Sequence, residues 1–527
     1  MMIRGTRFVV ALFLLVFAAC LSVAQGQKEA PAQVPAGIAG AYDVKSFGAR
    51  GDGKALDTPA INQAIEAAAA AGGGTVRFPA GTYLSYSIHL KSRISLYLEQ
   101  GATILAADPP PAGSRGGYDP AEPNPSDKFQ DFGHSHWHNS LIWGEGIENV
   151  AILGQGMICG KGLTREGNPR PGVGNKSIGL KLCRNVTIRD ISILQGGHFG
   201  ILATGVDNLT IDNLRIDTNR DGMNIDSCRN VRISNCSVNS PWDDAICLKS
   251  SYGLGFARAT ENVTITNCQV SGYDQGTFLD GTYQRDNPQA PDKGGVTGRI
   301  KFGTESNGGF KNITIANCVF VRCRGLALET VDGALLEDVA ITNITMRDIV
   351  NAPIFLRLGN RMRGPEGTPV GALRRVILSN ITVHNADPRY ASIISGIPGH
   401  DIEDVKLSNI RIFYQGGGTK EQAALEPPER ENDYPEPRMF GEIPAYGFFI
   451  RHVKGIELSN VEVSYLKEDL RPAFVLWEVR GADFQHVKAQ HAPEVPTFVL
   501  KSIEDFSLHQ VKGLADVRLE RAAWRAL

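Results

Sequence analysis

The sequence has almost no net charge. It carries 54 basic and 56 acidic residues among 527, a formal balance of −2. A chain so close to neutral holds neither nucleic acid nor an anionic membrane by electrostatic attraction, so both are excluded as main partners. Long apolar runs are also missing, apart from one at the start. The Leu-x-x-Leu-x-Leu pattern of leucine-rich repeats does not occur, and no long, equal units suggest a propeller. What the chain has in quantity is glycine, at 58 residues, with Asn recurring throughout. Both favour a turn-rich β architecture over a helical one.

The opening residues read as an export signal at 1–24. Arg4 and Arg7 precede an apolar run from Phe8 to Ala19, and Ser22-Val23-Ala24 offers a small-residue cleavage site. The run is too short to span a bilayer comfortably. Phe17-Ala18-Ala19-Cys20 is similar to a lipoprotein processing box, which makes a lipid anchor at Cys20 an alternative. Residues 25–40, rich in Ala, Pro and Gln, read as a flexible linker, and residues 41–527 as one domain. The expected location is periplasmic or extracellular, with an outer-membrane lipoprotein as the variant, and the chain is expected to be a monomer.

From about residue 149 one phrase repeats. An Asn is followed by an apolar, a variable and an apolar residue, and then usually by a second Asn. Copies begin at Asn185, Asn208, Asn230, Asn262 and Asn312, with weaker ones at Asp338, Arg375, Asp404 and Gly455. The two shortest steps are 208 − 185 = 23 and 230 − 208 = 22 residues; the next two, of 32 and 50, imply insertions between coils. Short alternating strands at this period predict an all-β solenoid, whose core forms only by stacking one coil on the next. Asn at each strand boundary is expected to stack on the Asn of the next coil. Cys236, Cys268 and Cys318 each follow an Asn, which predicts buried thiols stacked along the core, with one or two disulfides as the alternative. Before the repeats, Thr58 is expected to cap a helix beginning at Pro59, with Ile61 and Ile65 on its buried face, and that helix to close the open end of the solenoid.

Counting 13 residues past successive repeat asparagines reaches His198, Asp221 and Asp243, with Asp244 beside the last. One coil is one layer, so these residues should lie on one outward face at about 5 Å per layer. Crowded carboxylates push their pKa values apart, so that one stays protonated while another stays ionised. That is the acid and base pairing of glycoside hydrolysis. Trp242 adds a platform on which a sugar ring could stack. Taken singly, each Asp would read as an ordinary turn residue.

At this point the chain resembles glycoside hydrolase family 28, the polygalacturonases and rhamnogalacturonan hydrolases, over nearly its whole length. Phe47 to Gly53 and Phe78-Pro-Ala-Gly-Thr-Tyr83 are similar to the family's opening. Asn219-Arg-Asp-Gly222 is similar to its Asn-Thr-Asp-Gly, and Asp243-Asp244-Ala-Ile-Cys-Leu-Lys-Ser250 to its Asp-Asp strand. The resemblance implies a right-handed, single-stranded parallel β-helix of the pectin-lyase-like kind, with an N-terminal capping helix. It also implies an inverting hydrolase of pectic polysaccharide or oligosaccharide, of galacturonan or rhamnogalacturonan type, that uses no cofactor or metal. Asp243 would be the general acid, and Asp221 and Asp244 would position and deprotonate water.

Two family features are replaced. Tyr273-Asp274-Gln275 stands where Gly-His-Gly is expected, and Ala327 and Glu329 stand where a carboxylate-gripping Arg and Lys belong. A literal Arg299-Ile-Lys301 occurs one coil early; alternation puts both cations on the outward face, either in the cleft or on a solvated surface. The expected substrate contacts are therefore His198, Asn219, Trp242, Asp274, Arg299 and Lys301. A modified or branched pectic substrate fits these replacements better than plain galacturonan.

His134-Ser-His136-Trp-His138 could share a strand face as metal ligands, but reads better as a loop or cleft wall. Residues 416–446 read as a long loop over the solenoid, and insertions at 281–295 and 416–446 would close one end of a cleft and favour exo action. Two other readings stand beside the hydrolase. A polysaccharide lyase could use the aspartates to hold Ca²⁺, and a non-catalytic carbohydrate-binding solenoid would need no chemistry at all.

Overall fold

The computed structural model describes residues 40–286 and 295–527. The export segment, Cys20 and all but the last residue of the linker lie outside the described residues. The remainder is a parallel β-helix. Strands Phe199–Thr204, Asp221–Asp226 and Ile246–Ser250 stack in parallel as one face, continued by Ile300–Ser306, Leu326–Thr330 and Ile354–Leu358. A second face stacks Arg184–Arg189, Asp207–Asp212, Arg229–Ser234 and Thr260–Thr266. A third runs through Ser192–Leu194, Arg215–Asp217, Ser237–Asn239 and Gln269–Ser271.

The repeat spacing is the coil spacing. Arg184 pairs with Asp207, Asp207 with Arg229, Arg229 with Glu261 and Glu261 with Lys311, steps of 23, 22, 32 and 50 residues. The longer steps are loops leaving the stack; of the insertion at 281–295, residues 287–294 lie outside the described residues. Alternation sends Val186, Ile188, Leu209 and Ile211 into one continuous core.

Each repeat Asn has positive φ, close to 56° at Asn185, Asn208 and Asn230. Asn tolerates this left-handed bend better than other residues with a side chain. Its amide also bonds along the stack: Asn208 Nδ2 donates to Asn185 Oδ1 at 2.8 Å and Asn230 to Asn208 at 3.2 Å. The ladder continues through Asn262 and Asn312. The eight cysteines among the described residues are all buried and free, so the stacked-thiol reading holds there and the disulfide alternative does not.

At the N-terminal end the helix Thr58–Ala70 buries Ile61, Ala64, Ile65 and Ala68. Its cap differs from expectation. Thr58 is already helical and Asp57 is the N-cap, without a side-chain capping bond. The Asp57 carboxylate instead accepts the backbone N–H groups of Arg50 and Gly51. Thr58 Oγ1 accepts from the Tyr86 backbone N–H at 2.8 Å, tying the helix to the first coils. At the other end, strand Val517–Ala526 pairs antiparallel with Phe498–His509 and covers the last parallel edge. No helix of the described residues is long and apolar enough to cross a membrane.

Candidate active site

The strand Asp221–Asp226 turns Met223 and Ile225 into the core, leaving Asn224 and Asp226 on the outer face. Met223 is opposite Ile246, which sets Asp221 opposite Asp244 in the next coil. The three aspartates converge: one carboxylate oxygen from each of Asp221, Asp243 and Asp244 lies within 4.8 Å of the others. A single backbone group pins two of them. The Asp244 N–H donates to Asp221 Oδ1 at 3.1 Å and to Asp243 Oδ1 at 3.0 Å.

Their surroundings are unequal. Burial, and then the charge of Asp243, raise the Asp221 carboxyl from its usual value to about 7, against the opposing pull of Lys249. Asp243 has Arg220 Nη2 3.5 Å away. Asp244 takes Arg299 Nε at 2.9 Å and Lys301 Nζ at 3.5 Å. Close carboxylates of this kind titrate as a set, with one proton shared among them near neutral pH.

Arg299 and Lys301 do face away from the core, but not onto a solvated surface. Both are almost wholly buried, which corrects that alternative. Arg299 Nη2 bonds Glu436 at 2.6 Å, and Lys301 Nζ bonds the Tyr434 hydroxyl at 3.2 Å. Both partners lie in the segment between the strands Ile402–Gly416 and Phe448–Lys467, which forms an ordered strap over this face. Arg451 holds the strap by the carbonyls of Pro427 and Pro428, and Arg357 by those of Glu429 and Arg430. Phe440, Ile443 and Ala445 pack on Ala327, Phe355, Ile393 and Phe449. Glu329, fully buried, is 3.5 Å from Lys301 and 3.9 Å from Arg299, and burial raises its carboxyl to about 7.

The other expected contacts fall unevenly. Asn219 borders the acids, and its Oδ1 is buried without a hydrogen-bond partner. His198 is one position off the expected register, because Phe199 and not His198 is opposite Asp221. The count slips again in the next coil, where Asp244 and not Asp243 is opposite Asp221, because the turns before these strands differ in length. His198 Nδ1 lies 2.6 Å from the Arg165 carbonyl, a contact that requires a proton on Nδ1 and leaves Nε2 a bare acceptor. Burial holds the ring well below its usual pKa, so it is neutral. Trp242 is a platform with one face taken, since the Arg165 guanidinium sits 4.3 Å from its ring centroid. Asp274 serves its own insertion: its Oδ2 accepts the Asp286 backbone N–H at 2.8 Å, and its carbonyl takes Thr277 Oγ1.

The three neighbouring histidines do not share a strand face. They lie in a turn and the loop after it, and their partners differ. His134 packs against Phe199 and His198, His136 bonds Asp127, and His138 bonds Glu145 and stacks on Trp143.

Sequence reasoning missed several groups that the fold brings here. Lys249 Nζ bonds Glu305 at 2.6 Å, both buried. The Asn224 amide is buried with neither atom hydrogen-bonded. Alternation along the two strands would have found both, since each lies on the outward side. Glu436, Tyr434 and Arg324 carry no local signal, because they reach the site through the strap and through the turn before the strand of the next coil.

Two family models match the chain, one described as "Rhamnogalacturonase A/epimerase, pectate lyase-like" over residues 41–108 and one as "Right handed beta helix region" over 167–289. A probable polygalacturonase of Vitis vinifera is 25% identical over 392 residues, covering 69% of this chain and 73% of that protein. An exo-poly-alpha-D-galacturonosidase of Dickeya chrysanthemi is 28% identical over 262 residues, 40% of this chain and 42% of that protein. In fold, an exopolygalacturonase of Thermotoga maritima superposes with a TM-score of 0.56 at 18% identity, covering 92% of this chain and 94% of that one. By sequence over most of its length, by fold, and by the Asn-Arg-Asp-Gly and Asp-Asp strands of its site, the chain is similar to the polygalacturonases of glycoside hydrolase family 28.

Proposed function

We propose that this chain is a glycoside hydrolase of pectic polysaccharide or oligosaccharide, and that it inverts the configuration at the carbon it attacks. The observation that carries the reading is the convergence of Asp221, Asp243 and Asp244 within 4.8 Å on one outward face, with a carboxyl raised to about 7 among them. Asp243 donates the proton to the leaving oxygen. Asp221 and Asp244, joined through one backbone N–H, hold the water and take its proton. Asn219, His198, Trp242, Arg299 and Lys301 line the place where the sugar chain lies, and Asp274 shapes the insertion beside it. The catalytic unit is residues 41–527, exported behind the 1–24 signal and the 25–40 linker to the periplasm or the exterior, and it works as a monomer.

The oxygen-to-oxygen closeness favours a second reading, retention through a covalent intermediate. A two-carboxylate inverting site usually opens to roughly 6.5–9.5 Å to admit water. Three carboxylates relax that requirement, because two of them can hold the water while the third acts as acid. Following the anomeric proton by NMR during hydrolysis of pectic oligosaccharides decides it. Product that first appears with the opposite configuration supports inversion, and retained product moves the mechanism to a glycosyl–enzyme intermediate. In the same assay Asp243→Asn should lower kcat by about 10²–10⁴-fold. An unsaturated product absorbing in the ultraviolet would replace hydrolysis with elimination.

A further inference from the structure

The strap brings a carboxylate of its own into the active site. Glu436 Oε1 receives Arg299 Nη2 at 2.6 Å and Arg324 Nη1 at 2.8 Å, from residues 137 and 112 positions away in the chain. A carboxylate gripped by two guanidinium groups is what a uronic acid would present to the same clamp. The position is filled, and by an anchored segment: Arg357 and Arg451 hold its carbonyls, and Phe440 and Ile443 are buried against the sheet.

The cations are engaged as well. Arg299 and Arg324 both hold Glu436, and Arg299 and Lys301 both hold Asp244. A free carboxylate arriving on a substrate would have to displace Glu436 from its two guanidinium groups, or enter beside Asp244 where every cation already has a carboxylate partner. Like charges forced together in a buried site are strongly unfavourable. A hydroxyl, methyl or ester group meets no such penalty, and the Tyr434 ring, 43% exposed and 5.3 Å from Lys301 Nζ, offers an apolar face beside the clamp.

We propose that Glu436 is a built-in stand-in for a substrate carboxylate, so that the sugar seated over Arg299 and Lys301 carries no free carboxylate: it is a neutral residue or an esterified uronate. The proposal rests on the hydrolase reading for its substrate class, but concerns selectivity alone.

The test compares three ligands on the wild-type protein and on Glu436→Gln: a trigalacturonate, its methyl ester, and a rhamnogalacturonan oligosaccharide of similar length. Turnover is measured as kcat/KM, and binding by calorimetry on Asp243→Asn and on the Asp243→Asn, Glu436→Gln double variant. The wild type should favour the ester or the rhamnogalacturonan oligosaccharide over the free acid by at least about tenfold. Which of the two wins tells esterified uronate from neutral sugar. Glu436→Gln, by releasing one positive charge, should shift the preference toward the acid by a similar factor. Free trigalacturonate preferred by the wild type, or a preference unmoved in a folded Glu436→Gln, overturns the proposal. Should the variant not fold, the wild-type preference decides alone. If nothing is hydrolysed, the hydrolase reading fails, and the calorimetric preference still decides the selectivity.

Discussion

At the scale of single residues, the chemistry depends on where one proton sits. Asp221 is held near 7 by burial and by the charge of Asp243, while Asp244 lies against two cations. A general acid works only while protonated, so activity should fall as pH rises through about 7, and fall again at low pH as the base is protonated. The alkaline limb belongs to the coupled set and not to one residue. Asp221→Asn takes out of the set the carboxyl that burial and the charge of Asp243 hold at about 7. The expected outcome is a lower kcat with the alkaline limb moved to more acid pH, read from kcat profiles between pH 4 and 9. A limb that stays in place in Asp221→Asn would mean that Asp221 and Asp243 do not share the proton.

At the scale of elements, the coil boundaries are held by asparagines doing two jobs. The amide ladder through Asn185, Asn208 and Asn230 satisfies side chains along the stack, and the positive φ allows the strand to bend. The two contributions separate by substitution. Asn208→Ala loses both the ladder and the tolerated left-handed conformation, and should cost about 1–2 kcal/mol. Asn208→Gly loses the ladder but adopts φ near +56° freely, and should cost less. Chemical denaturation of the two variants checks the order; a Gly variant no more stable than the Ala variant would mean that the left-handed conformation costs Ala little there. The same periodicity is why the fold was legible. Steps of 23, 22, 32 and 50 residues read from the asparagines are the register of the strands. It also explains the one-position errors at His198 and Asp243, since a count from the Asn runs through the turn before each strand, whose length no strand pattern fixes. The strap had no period to read. Its proximity to Arg299 comes from a return of 137 residues, a distance over which sequence spacing carries no information.

At the scale of the whole molecule, the outer face of the site sheet changes character along its stack. Around Asp221, Asp244 and Lys301 it is polar and charged. One coil further on, the column that contains Lys301 continues as Ala327, Phe355, Ile393, Phe449 and Val475, all apolar and buried. Phe440, Ile443 and Ala445 of the strap cover that surface, and burial of this size does not open for a passing polymer at modest cost. A polysaccharide lying across the three aspartates therefore meets the strap toward the later coils. Cleavage should then occur near a chain end. From a long pectic polymer, saccharides of one or two residues should appear from the first minutes, with viscosity falling slowly relative to the number of bonds cut. Chromatography of early products alongside viscometry measures both. A rapid loss of viscosity with a ladder of intermediate oligomers would mean that the strap leaves the cleft open at both ends.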